Sequence, residues 1–243
     1  MTEARPALSV IERAVLDRFK RLQVPRGARV LDAPCGSGAL TLALRDAGFD
    51  AWGTDVVPDA RDPLGEKFLA ADLGAGIPCA DESMDVVLSV EGIEHLENPY
   101  SFLREIHRVL RPAGRLILTT PNTAALRSRV RFFGSAFYHQ DPRPLNESAR
   151  HPLHHISLRT FPELRYALQT AGLTLVDTGH THIKPISWIY AVFVPAAAIY
   201  TTMAFRKEKD AAQRSRNRDI RRALLSKSVL YGENLLLVAK KSG

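Results

Sequence analysis

Val10, Ile11, Ala14, Val15, Phe19 and Leu22 recur at helical spacing, with Arg18 on the same stripe, so residues 7–22 read as an amphipathic entry helix. Beyond it the chain alternates short apolar runs with helical patterns. Runs at about 28–33, 50–55, 67–71, 84–90, 114–120, 173–178 and 234–240 predict strands. Helices are predicted near 38–47, 98–110 and 161–171. Asn98-Pro99 reads as an N-cap followed by proline at the first helical position, and Phe161-Pro162-Glu163 with Ala171-Gly172 brackets the last of these helices. The connection between the second and third strands is short and rich in Pro, Asp and Gly, so any helix there is expected to shrink to a turn.

The first strand runs into Asp32-Ala33-Pro34-Cys35-Gly36-Ser37-Gly38, and a helix follows. A strand, a glycine turn and a helix form the approach geometry for a phosphate or cofactor in doubly wound α/β folds. Glycine permits that approach because it has no β-carbon to collide. The second strand, Ala51-Trp52-Gly53-Thr54-Asp55, ends in an acid 17 residues after Gly38, where a carboxylate can accept from both hydroxyls of a ribose.

These residues resemble the class I S-adenosylmethionine (SAM) dependent methyltransferases. Asp32 to Gly38 is similar to the family's D-x-G-x-G-x-G motif, with Pro34 in place of the first glycine. Further matches follow in order: Asp55, then Ala71-Asp72-Leu73, then Asp85-Val86-Val87-Leu88-Ser89, then Leu110-Arg111-Pro112-Ala113-Gly114. The resemblance runs from about Ala28 to Gly179. A dinucleotide-binding Rossmann domain shares the glycine turn and the distal acid, but not the later motifs. The resemblance implies an α/β fold with a Rossmann-like seven-stranded, mostly parallel sheet and an antiparallel last strand. It also implies cofactor roles. Asp32 would orient the loop and the methionine amino group, and Asp55 would take the ribose. Asp72 and Leu73 would flank the adenine, and Val90 and Glu91 would line the methionine end, with Gly36 and Gly38 forming the turn.

Methyl transfer from a sulfonium is an in-line displacement, so the protein must align donor and acceptor and remove a proton from a hydroxyl acceptor. Glu91-Gly92-Ile93-Glu94-His95 follows the fourth strand, where family members place the acceptor. Glu91, His95 and the distal His155 are the catalytic candidates. Two carboxylates and an imidazole over five residues are also a plausible ligand set for Mg²⁺ or another divalent cation. The E-x-x-E-H pattern resembles the O-methyltransferases of ubiquinone biosynthesis, which bind membranes peripherally. It also resembles the small-RNA 2′-O-methyltransferases, in which a distal histidine completes a metal site. Glu91, Glu94, His95 and His155 are the metal candidates; pocket shaping without a metal is the other reading. His151 and His154 are spare candidates for a general base.

Two segments exceed a minimal methyltransferase. Residues 121–160 form a long connection carrying Arg127, Arg129, Arg131, Phe132, Phe133, Phe137, Tyr138 and His139, read as a lid or as a helix on the sheet edge. About 50 residues then separate the sixth and seventh strands, which pair as a hairpin in the family's fold. Pro185 to Phe205 carries no charge, and Arg206 to Arg222 holds eight basic and three acidic residues, a net of +5 within the chain's +7. Both ends of this insertion must return to one sheet, so a single bilayer span is disfavoured. A re-entrant or interfacial helical hairpin, broken at Pro195, meets the constraint. Residues 185–222 would then touch an anionic membrane surface; a packed apolar helix or a dimer interface is the alternative.

The resulting division is an N-terminal helix over 1–24, a SAM-binding core over 25–183 with the lid at 121–160, an apolar and basic insertion over 184–230, and the final strand within 231–243. Cys35 and Cys79 fit a reducing cytoplasm better than a disulfide framework, and residues 1–8 lack the apolar run of a signal peptide. The leading expectation is a cytoplasmic, membrane-peripheral methyltransferase acting on a lipid-embedded or lipid-linked small-molecule hydroxyl. An RNA 2′-O-methyltransferase is the second reading, with nucleic acid disfavoured by the long uncharged segment. A non-catalytic SAM-fold scaffold in a membrane complex is the third.

Overall fold

The computed structural model describes residues 6–140, 144–148 and 151–242. The expectation for the first residues of the chain, Met1 to Arg5, lies outside them. Helix α1 spans Val10–Arg21. Its start is fixed by a reciprocal cap: Ser9 Oγ accepts from Glu12 N at 3.1 Å, and Glu12 Oε2 accepts from Ser9 N at 2.7 Å. Then come β1 (Arg29–Asp32), α2 (Ala39–Asp46) and β2 (Asp50–Asp55). The connection to β3 (Phe68–Ala70) holds only short 3-10 turns and the four-residue α3 (Arg61–Leu64), as its composition predicts. β4 (Met84–Val90), α4 (Pro99–Val109), β5 (Leu110–Pro121), α5 (Leu126–Ser135), α6 (Phe161–Thr170) and β6 (Leu173–His180) follow. The insertion contains a 3-10 segment (Pro185–Phe193), α7 (Val194–Phe205), α8 (Ala211–Leu224) and α9 (Lys227–Tyr231), and β7 (Asn234–Lys241) returns to the sheet.

The seven strands lie in the order β3-β2-β1-β4-β5-β7-β6. β7 runs antiparallel to both β5 and β6, and the other neighbouring pairs are parallel. The inner strands are apolar on both faces because helices cover both. Alternation sorts them into two cores. Leu31, Val87, Leu116, Leu118, Leu237 and Ala239 join Phe102 and Ile106 of α4 and Phe161 and Leu164 of α6. Val30, Val86, Leu88, Ile117, Leu236 and Val238 join Val15 and Phe19 of α1 and Leu40 and Leu44 of α2.

Three boundaries differ from the sequence reading. β5 begins at Leu110 and not near 114, with Ala113 at φ 63 and a register shift in the β4–β5 ladder; Arg111 there reaches Asp85 Oδ1 at 2.8 Å. The insertion does not end at 230. Tyr231 closes α9, whose Val229, Leu230 and Tyr231 are buried, so this helix belongs to the core in packing terms. The chain is not broken at Pro195. The winding changes from 3-10 to α between Phe193 and Val194, and Pro195 lies in the first turn of α7, where its missing N–H costs no helical bond.

Candidate functional site

Asp32, Asp55, Val90 and Pro121 end β1, β2, β4 and β5 at the carboxyl edge of the sheet, the edge where open α/β sheets bind ligands. Asn234 begins the antiparallel β7 opposite Pro121, so it lies at the same edge.

The glycine turn is built as its sequence requires. Gly36 and Gly38 have φ of 52° and 78°, and Gly38 caps the N-terminus of α2. Asp32 is buried, and its Oδ2 accepts from Thr41 Oγ1 at 2.7 Å, tying the end of β1 to α2. Burial raises its carboxyl to about 7 against the bond from Thr41. Asp55 Oδ2 accepts from Gly36 N at 2.8 Å and Oδ1 from Val57 N at 2.9 Å, so the carboxylate is clamped beside the turn. Each of its oxygens keeps a second lone pair for a hydroxyl donor. Asp72 is exposed and accepts from Gly74 N at 2.8 Å, while Leu73 is buried in the main core. At Gly36 nothing lies within 4 Å of where a β-carbon would be, so the turn leaves open space above it. The turn, the Asp55 lone pairs and the adjoining carboxyl edge fit a nucleoside-bearing cofactor.

Pro34 finds its reason across the site. A β-carbon built on Gly92 would lie 2.2 Å from Pro34 Cδ. The proline of the first loop and the glycine after β4 are therefore a matched pair: the Pro34 ring packs on the Gly92 backbone and fills the space that a glycine at 34 would leave.

After β4 the backbone turns sharply. Glu91 sits at φ 48°, a left-handed conformation uncommon outside glycine, with its N–H on Thr119. The turn points Glu91 towards β7, where its Oε2 accepts from Asn234 Nδ2 at 2.6 Å. Glu94 is fully buried; its Oε2 accepts from Thr120 Oγ1 at 3.0 Å. Oε1 of Glu91 and Oε1 of Glu94 are buried and take no hydrogen bond. Burial raises both carboxyls, and the two repel one another's charge at Glu94. His95 Nδ1 lies 3.1 Å from the carbonyl of His154. A carbonyl only accepts, so Nδ1 is the protonated nitrogen and Nε2 carries the lone pair. Burial lowers the pKa of His95, against the carbonyls of His154 and Glu91.

The stretch before α6 is pinned here by Ser157 N on Glu94 O at 2.9 Å, which brings His155 to His95 with ring centroids 4.9 Å apart. One ligand atom each from Glu94, His95 and His155 lies within 4.8 Å of the others. Glu91, the fourth candidate, is not in that group, because its positive φ turns it to Asn234. His151 and His154 pair with each other, 5.8 Å between rings, and His154 contributes only its carbonyl. A cavity of about 210 Å³ lined by Leu22, Val24, Arg111 and Gly114 lies at the opposite edge of β4 and β5, with Asp85 in its wall engaged by Arg29 and Arg111.

Asn234, Thr119 and Thr120 were not singled out by motif. Their signal was positional: polar residues at the ends of apolar strands, where a buried polar atom demands a partner. The same holds for Glu233, whose Oε1 meets His139 Nε2 at 2.9 Å and Lys184 Nζ at 2.8 Å.

A family profile described as a methyltransferase domain matches residues 5–178. A ubiquinone biosynthesis O-methyltransferase of Ruegeria pomeroyi is 30% identical over 198 residues, 76% of this chain and 77% of that one. Its namesake in Cereibacter sphaeroides is 26% identical over 80% of each chain. Among solved structures, a SAM-dependent methyltransferase of Archaeoglobus fulgidus superposes with a TM-score of 0.56 at 17% identity, covering 95% of this chain and 94% of that one. A Burkholderia thailandensis toxoflavin-precursor N1-methyltransferase with bound S-adenosylhomocysteine gives 0.56 at 18% identity, covering 97% and 79%. These structural likenesses concern the fold.

Proposed function

Since the chain belongs to the class I SAM-dependent methyltransferases, with SAM as methyl donor, we propose that it methylates a hydroxyl on a lipid-embedded or lipid-linked acceptor at an anionic membrane surface. The observation that carries this reading is the segment Pro185–Phe205: 21 uncharged residues, long and apolar enough to cross a membrane, in which Ser187 is buried and most of the large apolar side chains are exposed. Val192 is 73% exposed, Tyr200 78% and Phe133, at the tip of the neighbouring α5, 94%. So much contiguous apolar surface on a soluble face is costly unless something covers it. The basic residues of α8 follow directly, and each cation near anionic headgroups adds about 1 kcal/mol. The segment leaves the sheet after β6 and returns at β7, both at the edge that holds Glu91 and Asn234. An acceptor in the bilayer would thus meet the catalytic edge without leaving the lipid.

SAM supplies an activated methyl group on a good leaving group. The chain's own residues must hold the acceptor in line and take its proton as the carbon–oxygen bond forms and the carbon–sulfur bond breaks. His95 suits this: with Nδ1 on the His154 carbonyl, Nε2 is the basic nitrogen, and burial lowers the ring's pKa. The group of Glu94, His95 and His155 also fits a divalent ion: Glu94 Oε1 is buried and unbonded, and the donors converge. Two imidazoles and one carboxylate suit a borderline ion such as Zn²⁺, Mn²⁺ or Fe²⁺ better than Mg²⁺, which prefers oxygen. Bound there, such an ion would lower the pKa of a coordinated hydroxyl. With His95 engaged in that way, the proton would fall to Glu91 Oε1.

An RNA 2′-hydroxyl acceptor is the second reading, favoured by the same Glu94–His95–His155 group together with the basic α8. Sedimentation separates the two. The protein should pellet with phosphatidylglycerol vesicles. The triple variant Val192→Glu, Ile199→Glu and Met203→Glu, altered only at exposed positions, should stay folded and remain in the supernatant. Equal pelleting of both proteins, or no pelleting of the wild type, would remove the membrane reading; retention by RNA in place of vesicles would install the second.

A further inference from the structure

The cluster on Glu233 is not needed for binding SAM or for the proton transfer described above. Glu233 is buried at the start of the last strand. Three basic side chains from three separate segments gather on it: Lys184, the last residue before the apolar segment; His139, after α5; and Arg127, from the first turn of α5. Lys184 and His139 share Oε1, while Arg127 Nη1 stands 3.9 Å from Oε2, beyond hydrogen-bond reach. That nitrogen is buried and has no hydrogen-bond partner. Burial raises the Glu233 carboxyl, but Lys184 and His139 outweigh it and hold the group ionised. One carboxylate thus faces two permanent cations and a histidine, so the cluster carries an uncompensated positive charge. A buried guanidinium N–H without an acceptor is costly, and an anionic oxygen would supply the missing charge-assisted bond.

The surroundings say what kind of anion. Lys184 is the more open of the two cations, so an anion from outside meets it first, while Arg127 Nη1 lies covered behind it. Beside it the buried Leu126, Leu230 and Tyr231 pack with Ile183, Tyr190 and Val194, and the outer side of this cluster continues into the exposed apolar wall of Pro185–Phe205. Asn234, next to Glu233, holds Glu91, so the cluster lies along the rim that carries the chemistry.

We infer that Arg127, Lys184 and His139 form a binding site for a phosphate-class anion borne on an apolar tail, the headgroup phosphate of the lipid or lipid-linked acceptor. The inference rests on the membrane-facing reading above and deepens it by assigning the acceptor's charged group. The Arg127 guanidinium, turning outward from its covered position, supplies the donor that Glu233 leaves unused, and Lys184 supplies charge. His139, whose pKa is lowered by burial and its cationic neighbours, gains a favourable partner for its protonated form when the anion arrives. The tail leaves along the apolar wall.

Trp188 lies against Tyr231 beside this wall, the rings tilted with centroids 4.5 Å apart, and its fluorescence serves as the readout of occupancy. Full-length protein is titrated below micelle formation with dodecyl phosphate, with dodecyl maltoside as uncharged control, and with inorganic phosphate. Dodecyl phosphate should bind at least tenfold more tightly than the maltoside. Arg127→Gln should erase that preference, while SAM affinity by calorimetry and pelleting with phosphatidylglycerol vesicles stay at wild-type levels. Arg216→Gln, on exposed α8, should change nothing in this assay. Inorganic phosphate competing with the alkyl phosphate at similar concentration would place a free phosphate in the site; its failure to compete would place a lipid there. Arg127→Gln binding dodecyl phosphate as the wild type does, or a wild type indifferent to the headgroup, overturns the site. Loss of vesicle pelleting in the triple Glu variant with the headgroup preference intact leaves the anion site standing on its own.

Discussion

Gly92 and Pro34 show how one residue's identity is set by another far away in sequence. Neither makes sense alone: a proline in a glycine-rich loop looks like a defect until the β-carbon missing at 92 is seen to make room for its ring. Asp55 is of the same kind. It holds the N–H groups of Gly36 and Val57, so it shapes the turn as well as facing the ribose position. Asp55→Asn should keep a folded protein and weaken SAM by at least tenfold in calorimetry, about 1.4 kcal/mol; unchanged affinity would remove Asp55 from the cofactor site. Asp32 gives a pH signature. Its folded pKa, about 7, lies above its unfolded value, so the native state holds the proton more tightly. Its contribution is complete below the unfolded value and is lost as pH rises through about 7. Asp32→Asn should therefore flatten the loss of thermal stability of the SAM-free protein between pH 5 and 8, measured as the difference from wild type. At the Glu94–His95–His155 group, exhaustive chelation should abolish turnover while SAM still binds, and Mn²⁺ or Zn²⁺ should restore it; full activity with no metal by elemental analysis would leave His95 as the sole base.

At the scale of elements, the sequence was legible where periodicity and caps agreed. α4 begins on Asn98, whose side chain accepts from Ser101 N at 3.0 Å, and α6 begins on the Thr160–Glu163 box. The strands were legible because alternation feeds two cores, and a one-residue slip would swap every side chain between them. The short α9 was harder. α9 is five residues long with no stripe of its own to read, and tertiary contacts define it. The pocket was legible by type but not by aim: Glu91 and Glu94 look equivalent in sequence, yet a positive φ sends one to Asn234 and leaves the other among the histidines. Asn122 fixes α9. Its Nδ2 meets the carbonyls of Ser228, Val229 and Gly232 at 3.4, 3.0 and 2.9 Å. Asn122→Ala strands those acceptors and should cost about 1–3 kcal/mol in chemical unfolding. Amide exchange should quicken first at 228–232, and uniform quickening across the sheet would contradict a local role.

For the whole molecule, charge and apolar surface are segregated. The basic excess sits on α8, whose Ile220, Ala223 and Leu224 meet the core and whose Arg221 reaches Thr202 of α7. The apolar excess sits just before it. The two parts respond differently to salt, because screening weakens the ionic part and leaves the apolar part. Vesicle pelleting should therefore fall as salt rises from about 0.1 to 1 M, where the Debye length drops from about 10 to 3 Å, without vanishing. Complete release at high salt would reduce the contact to α8 alone.

The place of β7 has a consequence for how the protein is made. β6 pairs only with β7, and β7 fills the gap between β6 and β5. Pro185–Phe205 precedes β7 in the chain, so it leaves the ribosome while that gap is still open and β6 has no neighbour. The nascent chain at that moment shows both an unpaired sheet edge and its most apolar stretch. Early capture of that stretch by a surface or a chaperone would hold the two ends of the insertion together while Asn234–Lys241 arrives to close the sheet.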